Sequence, residues 1–162
     1  MNIVPLGFLD TWAFATALHN KYKDRFGGDH HSMALLPLRT EAGPAPILAE
    51  WKSAKALLSR IQAAASPIFG ETPDLGAAAV VRLAPGGFVE WQTLASDWSS
   101  LHLCIVPSPG AWTYSGGEGA VLPVGQLTYV NRAVMHSAVN LGNHPAIHLV
   151  VEARKPYDPL GS

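Results

Sequence analysis

At 162 residues the chain is long enough to bury a real core as one domain, and with 48% apolar and 14% charged residues it is globular rather than disordered. A formal net charge of −1, with no basic run of five or more residues, gives no reason to expect binding to nucleic-acid phosphate or to an acidic membrane. Cys104 is the one cysteine, so neither an intramolecular disulfide nor a cysteine metal cage is available, and its setting in LHLCIV reads as a buried, inert thiol.

In chain order, MNIVPLGFLD has no basic stretch before an apolar run, which argues against a signal peptide. No apolar run approaches the roughly 20 residues of a membrane span. The expected setting is a soluble, reducing one: the cytoplasm, or an assembled particle. Phe8 to Tyr22 repeats apolar residues at three- and four-residue spacing (Leu9, Trp12, Ala13, Ala15, Leu18) and predicts a helix that Asp10 can cap. GGDHHS, with Asp29, His30 and His31 after two glycines, reads as a solvated loop rather than a metal site. HSMALLPLRT, bounded by Gly27–Gly28 and Gly43–Pro44, predicts a strand. Ile47 to Ala65 is again helical in period, with Leu48, Trp51, Ala54, Leu57, Leu58 and Ile61 on one face and Pro67 closing it.

From Gly76 onward short β-prone runs follow one another: AAAVVRL, GFVEWQT, SLHLCIV, AWTYS, EGAVLPV, QLTYVNRA, HSAVNL and AIHLVVEAR. The breaks between them, such as PGG, PSPG, SGGEG and NLGNHP, are turn chemistry. Eight runs at this spacing predict a mainly β (α+β) fold: an antiparallel jelly roll with two N-terminal helices packed on it. With no repeat, low-complexity tract or linker, residues 1–162 read as a single domain. Its parts are a helical portion with one strand (1–75), a jelly-roll core (76–155) and a tail (156–162). SGGEG has no helix after it and is not a phosphate loop. The serines of DWSS with His102 form no nucleophile triad, lacking a strand-turn-helix elbow. Of the five tryptophans, Trp12, Trp51, Trp91, Trp98 and Trp112, most are expected in the core or between helix and barrel.

Four stretches point to a family. RLAPGGFVEW carries Pro85 and Gly86, and LHLCIVPSPG carries His102. SGGEGAVLPVGQLTYVNRAVMHSAVNLG carries Gly117–Glu118, Gly125, Asn131, His136, Asn140 and Gly142, and AIHLVVEAR carries His148. Together, from about Val80 to Val151, they resemble the double-stranded β-helix of the aspartyl/asparaginyl β-hydroxylase and bacterial proline-hydroxylase family. These are cupin-like Fe(II), 2-oxoglutarate-dependent oxygenases. The resemblance implies iron held by two histidines and a carboxylate on one face, and an Arg on the last strand gripping 2-oxoglutarate. His136 matches the distal iron-binding histidine. The first iron-binding histidine falls at Gln92 and the acidic ligand at Leu94, and a slip of one residue gives Trp91 and Thr93. The cosubstrate arginine falls at Ala146, which offers no fork to a carboxylate, and Arg154 lies beyond the pocket by strand count.

His102 matches a 2-oxoglutarate hydrogen-bond donor of the aspartyl hydroxylases, and strand alternation puts His148 on the face of Ala146. Three readings of His102, His136 and His148 stay open: a rebuilt three-histidine metal site, partly buried histidines satisfied by their neighbours, or a metal-free pocket for a small anion or peptide side chain. Two functional readings follow. In the first, the chain is a pseudo-oxygenase without cofactor. It serves as a binding or structural subunit on a protein partner or on copies of itself, in a larger or virion-type assembly. In the second, it is an active Fe(II)/2-oxoglutarate dioxygenase hydroxylating an amino-acid side chain. Any metal would take His136, His102 and Gln92; the ligand pocket would use His102, His148, Asn131 and Asn140; Trp91 and Trp98 would stand at its mouth.

Overall fold

The computed structural model describes residues 1–30, 32–92 and 97–156. His31, Leu94 and all but the first residue of the expected tail lie outside the described residues. The chain opens with a strand, β1 (Ile3–Phe8), where the periodicity had begun a helix at Phe8. Helix α1 (Trp12–Ala17) starts later and runs into a π-helical turn, Leu18–Tyr22. Asp10 accepts the amide of Trp12 at 2.9 Å, so it satisfies a first-turn donor from outside the N-cap. Gly27–His30 forms β2, not the expected loop, and pairs with β3 (Met33–Thr40). A two-residue strand, β4 (Gly43–Pro44), leads to α2 (Pro46–Glu50) and α3 (Lys52–Phe69). The second expected helix is therefore broken at Trp51, whose φ of −102° and ψ of 80° leave the helical region. Pro67 does not close α3 but lies in its last turn, and Gly70 ends the helix at φ +77°, a left-handed cap that costs glycine little.

The eight runs after Gly76 become β5 (Asp74–Leu83), β6 (Phe88–Gln92), β7 (Ser99–Val106), β8 (Ala111–Ser115), β9 (Glu118–Ala120), β10 (Gln126–Val130), β11 (His136–Asn140) and β12 (Ala146–Arg154). They sort into two antiparallel sheets. The larger has the order β1-β10-β7-β12-β5-β3-β2, with β4 beside β3, and the smaller the order β6-β11-β8-β9. From β5 on, the chain crosses from one sheet to the other at each step except the β8–β9 hairpin, which is the winding of a double-stranded β-helix. Two N-terminal helical segments pack on the larger sheet, as the sequence implied.

Alternation on the larger sheet separates two interiors. Leu101, Leu103 and Ile105 of β7 and Leu149, Val151 and Ala153 of β12 turn toward the helices, where they meet Leu57, Ile61 and Leu38. At the centre of that core Trp51 is stacked between Phe14 and Tyr22, with centroids 4.6 Å and 4.2 Å away, and its indole N–H donates to Ser53 Oγ at 2.9 Å. Trp51 is the one fully buried tryptophan; Trp12, Trp91 and Trp112 are 76%, 55% and 38% exposed, against the expectation that most would be core. The opposite face of the larger sheet looks at the smaller sheet, and the space between them is not filled.

Candidate functional site

A cavity of about 220 Å³ lies between the two sheets. The residues of β7 and β12 that do not face the helices line it: Ser100 and His102 from the first, Ala146, His148 and Val150 from the second. From Ala146 to Glu152 the strand advances roughly 20 Å, so the cavity has two ends. At one end Ala146 pairs with Leu83 across the sheet, and Ala111 and Val89 come down from the smaller sheet. Asn140 closes that end from beneath. Its amide nitrogen donates to the carbonyls of Leu83 (2.9 Å) and His144 (2.7 Å), and its oxygen accepts from Ser108 Oγ (3.1 Å) and the Gly142 amide (3.0 Å). This end is apolar and tightly tied.

The other end is polar. Gln92 and His136 face each other directly across β6 and β11, so the residue counted from Pro85 as the first iron position does stand opposite the distal histidine. His136 Nδ1 lies 3.0 Å from the carbonyl of Val134. A carbonyl can only accept, so Nδ1 carries a hydrogen, and in the neutral tautomer the lone pair is on Nε2. His102 and His148 meet edge to face, 6.0 Å apart at 82°. Burial, and then the proximity of His148, Arg132 and His136, pushes His102 down to about 3 from its ordinary 6.5. Burial alone pushes His148 down to about 4. Both are neutral imidazoles at neutral pH. His102 Nδ1 is shut off from solvent with no hydrogen-bond partner among the described residues.

Arg132 completes the polar end and was not foreseen. It follows β10, lines the cavity and pairs with Glu152 at 3.3 Å, its side chain only 16% exposed. The available signal was Glu152 itself: it shares the cavity-side parity of His148 and Val150, and an acid there calls for a cation.

The other expected site residues stand elsewhere. Asn131 does not line the cavity; it binds Asn2 through side chain and backbone and receives Ser115 Oγ at 2.6 Å, fastening β1 to the barrel. Asn140 is consumed by the turn described above. Trp91 lies on the outer face of the smaller sheet beside Tyr114, at 5.7 Å, because a bulge between Val89 and Gln92 turns it away from the cavity. Trp98 lies beneath the Arg154 guanidinium at 4.3 Å, and neither residue lines the cavity, in line with the strand count for Arg154.

The donors present do not fit Fe(II) with 2-oxoglutarate in the family's arrangement. Among the described residues no three His, Cys, Asp or Glu side chains gather closely enough to hold a metal ion. Residues 93–96 are Thr, Leu, Ala and Ser, so the acidic ligand has no substitute there. Arg132 puts a positive charge beside His102, where a metal would need anionic neighbours.

Solved structures share this winding over almost the whole chain. The fold is a double-stranded β-helix, which solved 2-oxoglutarate-dependent oxygenases also have. The chain is similar to the viral collagen prolyl hydroxylase vCPH of Paramecium bursaria Chlorella virus-1, solved with 2OG: TM-score 0.66 and 10% identity over 96% of this chain and 97% of that one. It is similar to the non-haem α-ketoglutarate-dependent epimerase SnoN of nogalamycin biosynthesis, with TM-score 0.69 and 16% identity over 99% and 81%. A Pseudomonas putida prolyl-4-hydroxylase gives TM-score 0.60 and 13% identity over 96% and 94%. No protein-family model matches the chain, and no curated protein is significantly similar to it. No described helix is long and apolar enough to cross a membrane.

Proposed function

We propose that this is an oxygenase-fold protein without the iron chemistry of that fold, its inter-sheet cavity kept as a binding pocket. The observation that carries the reading is the pairing of Gln92 with His136 at the position where two histidines would share iron. A neutral amide oxygen is a poor replacement for imidazole at ferrous iron. Ala146 at the far end, with no cation beside it among the described lining residues, supports the same reading for the cosubstrate. Between a binding and a structural role, the open interior favours binding, since a scaffold alone is packed to normal density.

The competing reading, a working dioxygenase built on His136, has one observation in its favour. The bond from Nδ1 to Val134 leaves Nε2 as a lone-pair donor, as a metal ligand needs. Calorimetric titration of the metal-stripped protein with Fe(II) or Mn(II) under argon, with and without 2-oxoglutarate, separates the two. No binding at millimolar metal is expected. Micromolar binding that 2-oxoglutarate tightens and His136→Ala abolishes would overturn the proposal.

A further inference from the structure

Given a metal-free pocket, the arrangement of charge along it says what enters. Arg132 is mostly buried, yet its one hydrogen bond among the described residues is to Glu152 through a single terminal nitrogen at 3.3 Å. A guanidinium has five N–H donors in a fork, and a well-formed pair to carboxylate is shorter, about 2.7–2.9 Å. Most of its donor capacity is therefore unspent. His102 Nδ1 is sealed from solvent without a partner among the described residues, whereas the remaining Arg132 nitrogens are not sealed off. A buried donor or acceptor left unmade costs about 1–3 kcal/mol, and native interiors rarely carry that cost for nothing. The open Arg132 fork suits an anion, and the neutral His102 ring stands beside it.

The other end accepts only apolar matter. Around Ala146 the lining is Leu83, Val81, Val89 and Ala111, with Asn140 fully occupied below. A second charge on a ligand would be buried there without a partner, which is costly. The volume of 220 Å³ lies below the roughly 300 Å³ at which drug-sized ligands begin to fit.

We infer that the cavity binds a small monocarboxylate with a branched or aromatic apolar body, its carboxylate seated on Arg132 beside the His102 ring and its body among Val81, Leu83, Ala146 and Val150. The inference rests on the reading above and names its ligand class. It inverts the charge order of a 2-oxoglutarate site: the anion's seat lies beside Gln92 and His136, and the deep end, where the oxygenase resemblance expects an arginine, takes no charge.

The test is calorimetric titration of the metal-free protein, in the presence of chelator, with 4-methylpentanoate, phenylacetate, their neutral amides and 2-oxoglutarate. Millimolar or tighter binding of the monocarboxylates is expected, with the amides and 2-oxoglutarate each at least about 10-fold weaker, the loss that one unmade charge-assisted bond or one unpaired buried charge brings. Arg132→Gln should weaken the monocarboxylates about 10- to 100-fold. The double variant Arg132→Gln, Glu152→Gln leaves no orphaned carboxylate and should show the same loss in a protein folded by circular dichroism. Ala146→Leu, which fills the apolar end, should weaken 4-methylpentanoate while sparing acetate. Amides that bind as well as the acids, 2-oxoglutarate that binds best, or no monocarboxylate binding at all would overturn the inference. The two claims fail separately. Iron binding tightened by 2-oxoglutarate sinks the reading, whereas absent carboxylate binding together with absent metal binding sinks the ligand class alone.

Discussion

Two neutral histidines held inside the barrel make stability depend on pH over a range where most proteins are flat. In the unfolded chain both take up protons as pH falls through their ordinary 6.5, while in the folded chain His102 and His148 wait until about 3 and about 4. Because the folded values are lowered, their contribution is full above pH 6.5 and is lost as pH falls below it. Between about pH 6.5 and pH 5 the cost is about 1.4 kcal/mol per pH unit for each group, so about 2 kcal/mol each and about 4 kcal/mol together. Against a typical total of roughly 5–15 kcal/mol that is a large share. Urea or guanidinium denaturation between about pH 8 and pH 5 measures it directly. Wild type should lose about 4 kcal/mol, His102→Gln and His148→Gln about half of that each, and the double variant little. The lowered Glu118 does not interfere, since its contribution is lost only below its ordinary 4.5. A wild-type stability unchanged over this range, or a loss that persists in the double variant, would refute the reasoning and show both rings open to water.

Further outcomes are expected from the same structure. Trp51→Ala, which empties the slot between Phe14 and Tyr22, should cost about 3–5 kcal/mol in denaturant unfolding, and Trp51→Phe distinctly less. Asn140→Ala should cost about 2–4 kcal/mol, because two buried and two part-buried side-chain bonds are lost, and the amide of Gly142, which donates to the Asn140 side chain, should exchange hydrogen faster by NMR. Cys104, whose thiol burial raises to about 11, should resist alkylation at mildly alkaline pH in the native protein and react at once in denaturant. Glu118→Gln removes the negative charge that receives the amides of Asn2 and Ile3 at 3.0 Å and 2.9 Å, and hydrogen exchange at the start of β1 should quicken with the rest of the barrel unchanged.

The barrel was legible because each of its strands carries its own local signal. Alternation and turn residues mark all eight runs after Gly76, and the count from Pro85 singled out Gln92, which stands opposite His136 across a sheet that the sequence alone does not draw. What was missed depends on distant partners. β1 reads poorly as a strand, with Pro5 and Gly7 inside it, and is made one by β10, more than a hundred residues away. The break at Trp51 follows from the indole's place between two rings, a tertiary demand that overrides helical period. Asn131 and Asn140 looked like pocket residues since polar groups near a histidine invite that reading, but strand ends need amides to tie backbone that no longer pairs. Arg132 sits just past a strand, where alternation stops telling which way a side chain faces.

β7 and β12 each present one row of side chains to the helices and the other to the cavity. Folding energy and the make-up of the cavity are thereby written on alternate letters of the same two words. Ser100, His102, His148 and Val150 can be exchanged while Leu101, Leu103, Leu149 and Val151 go on holding the molecule together. A lineage built this way can abandon one chemistry and try another without crossing sequences that fail to fold, and a library randomised only on the cavity row would start from the same freedom.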